Sequence, residues 1–193
     1  MIQQLLLQQA IPVLIGILAA FFSWLFVKYF FSPKLAISEN ISKKVIGDQR
    51  AYRIKIRNRG HRICSDISIV AKLEVRGLEP LLTQNFDSFF IKTSFNGTYP
   101  ALAKGRSIVF HLFNETQYDE KYYSGDFARR IEESSSIEDL LSLTDDTKLI
   151  VYVLGTDNFS GVRKLFISKE YTTSSIVEKS FCKDSVRINN ADN

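Results

Sequence analysis

The hydrophobic positions of this chain fall into two regimes with different spacing. From Ala10 to Val27 there is no charge, and Ser23 is the one clearly polar side chain. Tyr29, Phe30 and Phe31 extend the run past Lys28. A helix rises ~1.5 Å per residue, so ~20 apolar residues match a hydrocarbon core ~30 Å thick. The pattern predicts a transmembrane helix within residues 1–31. A cleaved signal peptide fits poorly: Met1-Ile2-Gln3-Gln4 lacks a basic start, and the run ends in bulky aromatics. A soluble core helix seldom stays apolar on every face. Pro12 stands early in the segment, where proline is tolerated.

Beyond Ser32-Pro33 the period falls to two. Tyr52 to Arg57 alternates apolar and basic residues, and Ile67, Ile69, Ala71, Leu73 and Val75 alternate with Ser68, Val70, Lys72 and Glu74. A half-buried strand needs this alternation because successive side chains point to opposite faces. Asn58-Arg59-Gly60 separates the two runs as a turn signal, which predicts a hairpin. Further strands are expected over Lys34–Ser38, Phe86–Thr93, Ser107–Phe113, Leu149–Leu154 and Val162–Ser168, punctuated by Gly77, Asn96-Gly97, Gly105, Gly155 and Asn158. Phe127 to Leu143 reads instead as short helix and loop. The expected fold is mainly β: an immunoglobulin-like antiparallel β-sandwich over residues 32–183, preceded by the transmembrane helix and followed by a flexible tail, 184–193.

Charge sets the sidedness. Nothing basic precedes the helix, whereas Lys28, Lys34, Lys43, Lys44 and Arg50 follow it, so the domain is expected in the cytosol and the N-terminus outside. Cys64 and Cys182 are expected as separate reduced thiols. The glycosylation-type triplets at Asn40, Asn96, Asn114 and Asn158 are then inert. The net charge of +4 is too mild to call for a nucleic-acid partner.

Enzymatic constellations are thin. His61 and His111, with Cys64 and Cys182, match no zinc-ligand spacing, and neither a nucleophile elbow nor a phosphate-cradling glycine loop occurs. No catalytic, cofactor or metal residue is assigned, and a non-enzyme is expected. Lys28, Lys34, Lys43, Lys44 and Arg57 are candidate lipid-headgroup contacts, since a juxtamembrane cation gains ~1 kcal/mol near an anionic leaflet; a solubilising strand face is the plainer alternative. Gly16 and Ala20 form a small-x-x-x-small spacing suited to helix packing. Tyr118, Tyr122 and Tyr123 are candidate interface aromatics, and Arg129-Arg130 beside Glu132-Glu133 fits a wet helix face.

Three groups of residues carry a family resemblance. Lys55-Ile56-Arg57-Asn58 followed by Asp66 to Leu73 resembles the first long hairpin of the cytoplasmic domain of inward-rectifier potassium channels. Leu149 to Asp157, then Tyr171, Ile176 and Phe181, is similar to that domain's closing strands, with a slightly short Ile-to-Phe gap. Lys28, Pro33-Lys34 and Ala36-Ile37-Ser38 resemble its join to the inner helix. The likeness covers roughly residues 20 to 183. It implies the fold and a tetrameric assembly. It does not imply potassium conduction, because the sequence has one membrane helix and no Gly-Tyr-Gly-type filter.

The sequence thus suggests a single-pass, non-catalytic module at the inner face of the cell membrane that self-associates and binds a protein or small-molecule ligand. Two other readings stay open: a filterless pore or membrane-disrupting effector gated by a cytosolic signal, such as a nucleotide in bacterial defence, and an accessory channel subunit.

Overall fold

A computed structural model describes residues 2–30, 32–46, 49–76, 86–95, 97–117, 125–182 and 185–187. Gly77, Asn96, Tyr118, Tyr122, Tyr123 and the tail beyond Arg187 lie outside the described residues. The chain opens with one helix, α1 (Ile2–Phe30). None of Ala10–Val27 is buried against the rest of the protein. A core helix of a soluble protein would be covered. This one is apolar all round and bare, and its length and composition suffice to cross a membrane.

Among the described residues the remainder is mainly β. Ten strands form one curled, mixed sheet: β1 (Leu35–Ile37), β2 (Ile41–Ile46), β3 (Gln49–Asn58), β4 (Cys64–Arg76), β5 (Phe86–Thr93), β6 (Thr98–Leu102), β7 (Ser107–Gln117), β8 (Lys148–Asp157), β9 (Arg163–Ile167) and β10 (Ile176–Val177). The main path runs β10-β2-β3-β7-β5-β4-β8-β9, with β1 on β3 and β6 on β4. All the pairings are antiparallel except β10 on β2.

The expected β3–β4 hairpin is not there. β3 pairs with β1, β2 and β7, whereas β4 pairs with β5, β6 and β8. Both strands turn an apolar face into the same core, Ile54 and Ile56 from one and Ile67, Ile69, Leu73 and Val75 from the other. The chain therefore crosses the core between Asn58 and Cys64 rather than reversing beside itself. Alternation reports which face is buried, and it is silent about which strand lies alongside.

Within β4 the phase slips once. Cys64 and Ile67 both point inward although they stand an odd three positions apart. The register shift between Ser65 and Ser68, with Asp66 at φ 49°, absorbs the extra residue as a bulge. The helical segment divides into α2 (Gly125–Glu133) and α3 (Ile137–Leu141). Ser136 caps α3 by accepting from Asp139 N at 3.1 Å, and Ile137, Leu140 and Leu141 join the core.

The C-terminal segment crosses the outer face of β2 and β3. Ser42 Oγ donates to the Lys179 carbonyl at 2.6 Å, and Lys55 Nζ donates to the Cys182 carbonyl at 2.6 Å. Lys55, read from the sequence as part of a solubilising face, is thereby only 5% exposed. Val186 is buried, and Cys182 N donates to the Arg187 carbonyl at 3.0 Å.

Candidate functional site

The end of the sheet that receives the chain from α1 is organised around one amide. Asn58 is buried at the end of β3. Its Nδ2 donates to the carbonyls of Arg62 (2.7 Å) and Leu102 (2.8 Å), and its Oδ1 accepts from Gly60 N (2.8 Å). Its backbone N–H donates to the Arg106 carbonyl (3.0 Å), and its own carbonyl accepts from Gly105 N (3.0 Å). The Lys34 carbonyl accepts from Arg59 N and Gly60 N at 2.8 and 3.1 Å. One side chain thus holds the β3–β4 crossing in shape, while the surrounding backbone ties in the β6–β7 turn and the segment leaving α1.

These loops present cations. Lys34, Arg59, His61, Lys104 and Arg106 are exposed, and Arg57 is half-buried beside them. Among the described residues no ion pair joins Lys34, Arg57, Arg59, Lys104 or Arg106 to a carboxylate. Two apolar side chains share the surface: Phe159 is 75% exposed and Ile63 45%. The Arg62 guanidinium lies 4.3 Å above the Phe159 ring. Asp157 shapes the turn beneath, its Oδ1 accepting from Phe159 N (3.1 Å), Ser160 N (2.9 Å) and Ser160 Oγ (2.9 Å). Asn158 N donates to the Ile63 carbonyl at 3.2 Å, which joins this turn to the basic loop.

The structure separates the cations that the sequence grouped. Lys34 and Arg57 belong to this collar. Lys43 and Lys44 pair with Tyr52 and Ala51 on β3, five to six residues from Arg57, or ~17–20 Å at ~3.3 Å per residue. Lys43 is held there by Glu138 (2.9 Å) and Glu178 (2.8 Å), and the hydrogen bonds it donates to Glu178 and Glu138 push its pKa up to about 12. Burial opposes ionisation of Glu138, but hydrogen bonds from Lys43 and Tyr52 (2.8 Å) outweigh it and keep the carboxyl below its usual range. This cluster fastens α3 to the sheet. Lys28 lies in α1, and its side chain is outside the described residues. Ala20 is exposed, and a Cβ on Gly16 would meet nothing within 4 Å, so that side of α1 is open. On α2, Arg129 pairs with Glu133 at 3.5 Å, and Arg130 donates to the Leu143 carbonyl.

No protein-family model and no curated protein matches this chain. The chemistry must be taken from the residues themselves. Both cysteines are free thiols, and burial pushes Cys64 up to about 11, which leaves it protonated and a poor nucleophile near neutral pH. Asp157, Glu138 and Lys55 each have partners that shape a turn, a helix or the C-terminal crossing. The collar gathers five cations without a carboxylate partner among the described residues, whereas Lys44, Lys164 and Arg187 are exposed singly elsewhere. Lys104, Arg106, Ile63 and Phe159 were missed in the sequence reading: Gly105 and Asn158 mark the turns that carry three of them, but nothing local says that distant turns meet at one end.

Proposed function

We propose that the chain is a single-pass membrane protein whose α1 spans the bilayer and whose non-catalytic β domain rests its collar on the anionic headgroups of the inner leaflet. The observation that carries this reading is the convergence of five cations and two exposed apolar side chains at the end where the chain leaves α1. Cations near an anionic surface gain ~1 kcal/mol each, and the effect fades within ~8–10 Å of it at physiological salt. Only groups at the junction end can use that field. Ile63 and Phe159 suit the boundary between headgroup and acyl chain. The excess of Lys and Arg just after the helix supports a cytosolic domain and an outer N-terminus.

In this reading the domain is an immunoglobulin-like sandwich of the type that closes the cytoplasmic side of inward-rectifier channels, as the resemblance of β8 and the residues after it suggests, although β3 and β4 do not pair as that hairpin would. It acts as a self-associating binding module for a protein or small ligand. Alkaline carbonate extraction and protease protection test the arrangement. The full chain should remain in the membrane pellet at high pH, and protease outside intact cells should leave the β domain whole. Release into the supernatant, or loss of the domain to outside protease, overturns it.

A further inference from the structure

The outer face of β4, β5, β8 and β9 carries a second surface, unlike the collar. Cross-strand neighbours line up in rows: Ile167, Tyr152 and Val70 form one, and Leu165 lies beside Leu154 in the next. Phe90 faces Lys72 one row further from the collar. Ile167 is 59% exposed, Leu165 52% and Phe90 51%. A hollow of about 340 Å³ opens between Val70 and Phe90, where β5 diverges from β4. An antiparallel sheet that faces water on one side ordinarily turns polar residues to it. Here Val70, Phe90, Tyr152, Leu154, Leu165 and Ile167 interrupt the polar residues Ser68, Lys72, Glu74 and Arg163, whereas the C-terminal segment covers the corresponding face of β2 and β3.

Most charges around the patch are matched; Arg163, at its collar end, donates instead to Thr156 Oγ1 at 3.4 Å. Lys72 meets Glu74 at 2.9 Å, Lys148 meets Glu170 at 2.7 Å, and Lys92 pairs with Glu115. Little net charge remains there to recruit an acidic lipid, a nucleic acid or a strongly charged protein, so the complement of this face is another neutral apolar face. Its position agrees. β4, β8 and β9 run between the junction end and the far end, and Val70 stands six residues from Cys64, ~20 Å along the strand. The patch therefore looks sideways along the bilayer if α1 spans it. Copies anchored in one membrane share its normal, and a two-fold axis along that normal brings identical sides together with their strands aligned, the usual packing of two sheets.

We infer that this face is a self-association surface, Val70, Tyr152 and Ile167 of one copy packing on the same residues of a second copy. This rests on the membrane-anchored reading above. Its apolar residues, Val70, Phe90, Tyr152, Leu154, Leu165 and Ile167, are few beside the ~20–30 residues a side of a standard stable interface. The contact is accordingly weak in dilute solution and is completed by the shared tether, which raises the effective concentration to roughly millimolar.

The test uses the full chain in proteoliposomes with Cys182→Ser, buried Cys64 being retained. Single cysteines Val70→Cys and Ile167→Cys should form oxidative dimers about tenfold faster than Arg129→Cys on α2, as a tethered contact requires. Val70→Arg and Ile167→Arg should lower energy transfer between labelled copies while circular dichroism stays unchanged. Cross-linking no faster than the control overturns the inference, and is the result expected if lipid or a different protein covers the face. Carbonate extraction of the same samples keeps the two claims apart: a chain that stays integrated but does not cross-link loses only this interface, whereas a released chain loses the anchor.

Discussion

Gly155 on β8 lies directly against Cys64 on β4: a Cβ built on Gly155 would stand 2.5 Å from Cys64 Sγ and 3.1 Å from Leu35 Cδ1. Three strands meet there, and only the missing side chain lets them close. Gly155→Ala should therefore destabilise the domain by ~1–3 kcal/mol, the usual cost of overpacking a filled core. Cys64→Ala removes the nearest obstacle, so the glycine substitution should cost less in that background. Thermal melts of the full chain in detergent, run as a double-mutant cycle, check this. Equal costs in both backgrounds would show that the sulfur is not the obstacle.

Glu138 joins α3 to the β2–β3 hairpin through Lys43 and Tyr52, and its removal leaves Tyr52 without its carboxylate and Lys43 with Glu178 alone. Hydrogen bonds to charged groups contribute about 1.5–3 kcal/mol, so Glu138→Gln should lower stability by an amount in that range at neutral pH. The pH dependence has a definite sign. The folded-state pKa of Glu138 lies below its ordinary value of 4.5, so the contribution is present above that value and is lost as pH falls through the folded pKa. Lys43 is raised from 10.5 to about 12; its share is complete below 10.5 and is lost as pH rises through about 12. Melting temperatures of wild type and Glu138→Gln should converge in acid and at extreme alkaline pH. A constant gap across the acid range would contradict the assignment.

Asn58 is satisfied on both ends of its amide, which makes the nearly isosteric change instructive. Asn58→Ala strands the Arg62 and Leu102 carbonyls, while Gly60 N keeps the Lys34 carbonyl, at a cost of ~1–3 kcal/mol per unsatisfied group. Asn58→Asp keeps the acceptor for Gly60 N but sets a carboxylate against the carbonyls of Arg62 and Leu102. It should be at least as damaging as alanine. Hydrogen exchange would show the loss first in the amides of Arg59 to Ile63 and of Gly105. If Asn58→Asp proves the milder change, the amide is not the organising group.

Much of this architecture could be read from the chain because burial on one face writes a period-two code. Ile67 to Val75 on β4 obeys it without exception after the bulge, and the length of α1 was equally legible. Other elements carry no such code. β2 holds Lys43 and Lys44, and Lys43 is tolerated only because Glu138 and Glu178 neutralise it from afar. β6 contains Pro100, which normally argues against a strand, yet among the described residues β6 pairs with β4 alone, which suits an edge strand. The collar was legible in part for a related reason. Lys34 follows the helix directly, whereas Lys104, Arg106 and Phe159 reach the same end through pairings that no local pattern encodes.

The collar makes a quantitative demand on lipid composition. If Lys34, Arg57, Arg59, Lys104 and Arg106 sit in the headgroup field, each contributes ~1 kcal/mol on an anionic leaflet. In nanodiscs containing phosphatidylserine, the amides of Arg59 to Ile63 and of Phe159 to Gly161 should exchange more slowly than in neutral phosphatidylcholine. The difference should shrink at ~1 M salt, where the screening length falls to ~3 Å. Lys104→Glu with Arg106→Glu should abolish most of it without changing thermal stability, because neither side chain has an ion-pair partner among the described residues. Lys44→Glu, five to six residues further along the sheet, should leave it intact, since a charge ~17–20 Å away lies beyond the screened reach of the surface. Equal sensitivity at Lys44 and at Lys104 would mean that protection follows net charge rather than position, and the collar would lose its claim to be the membrane contact.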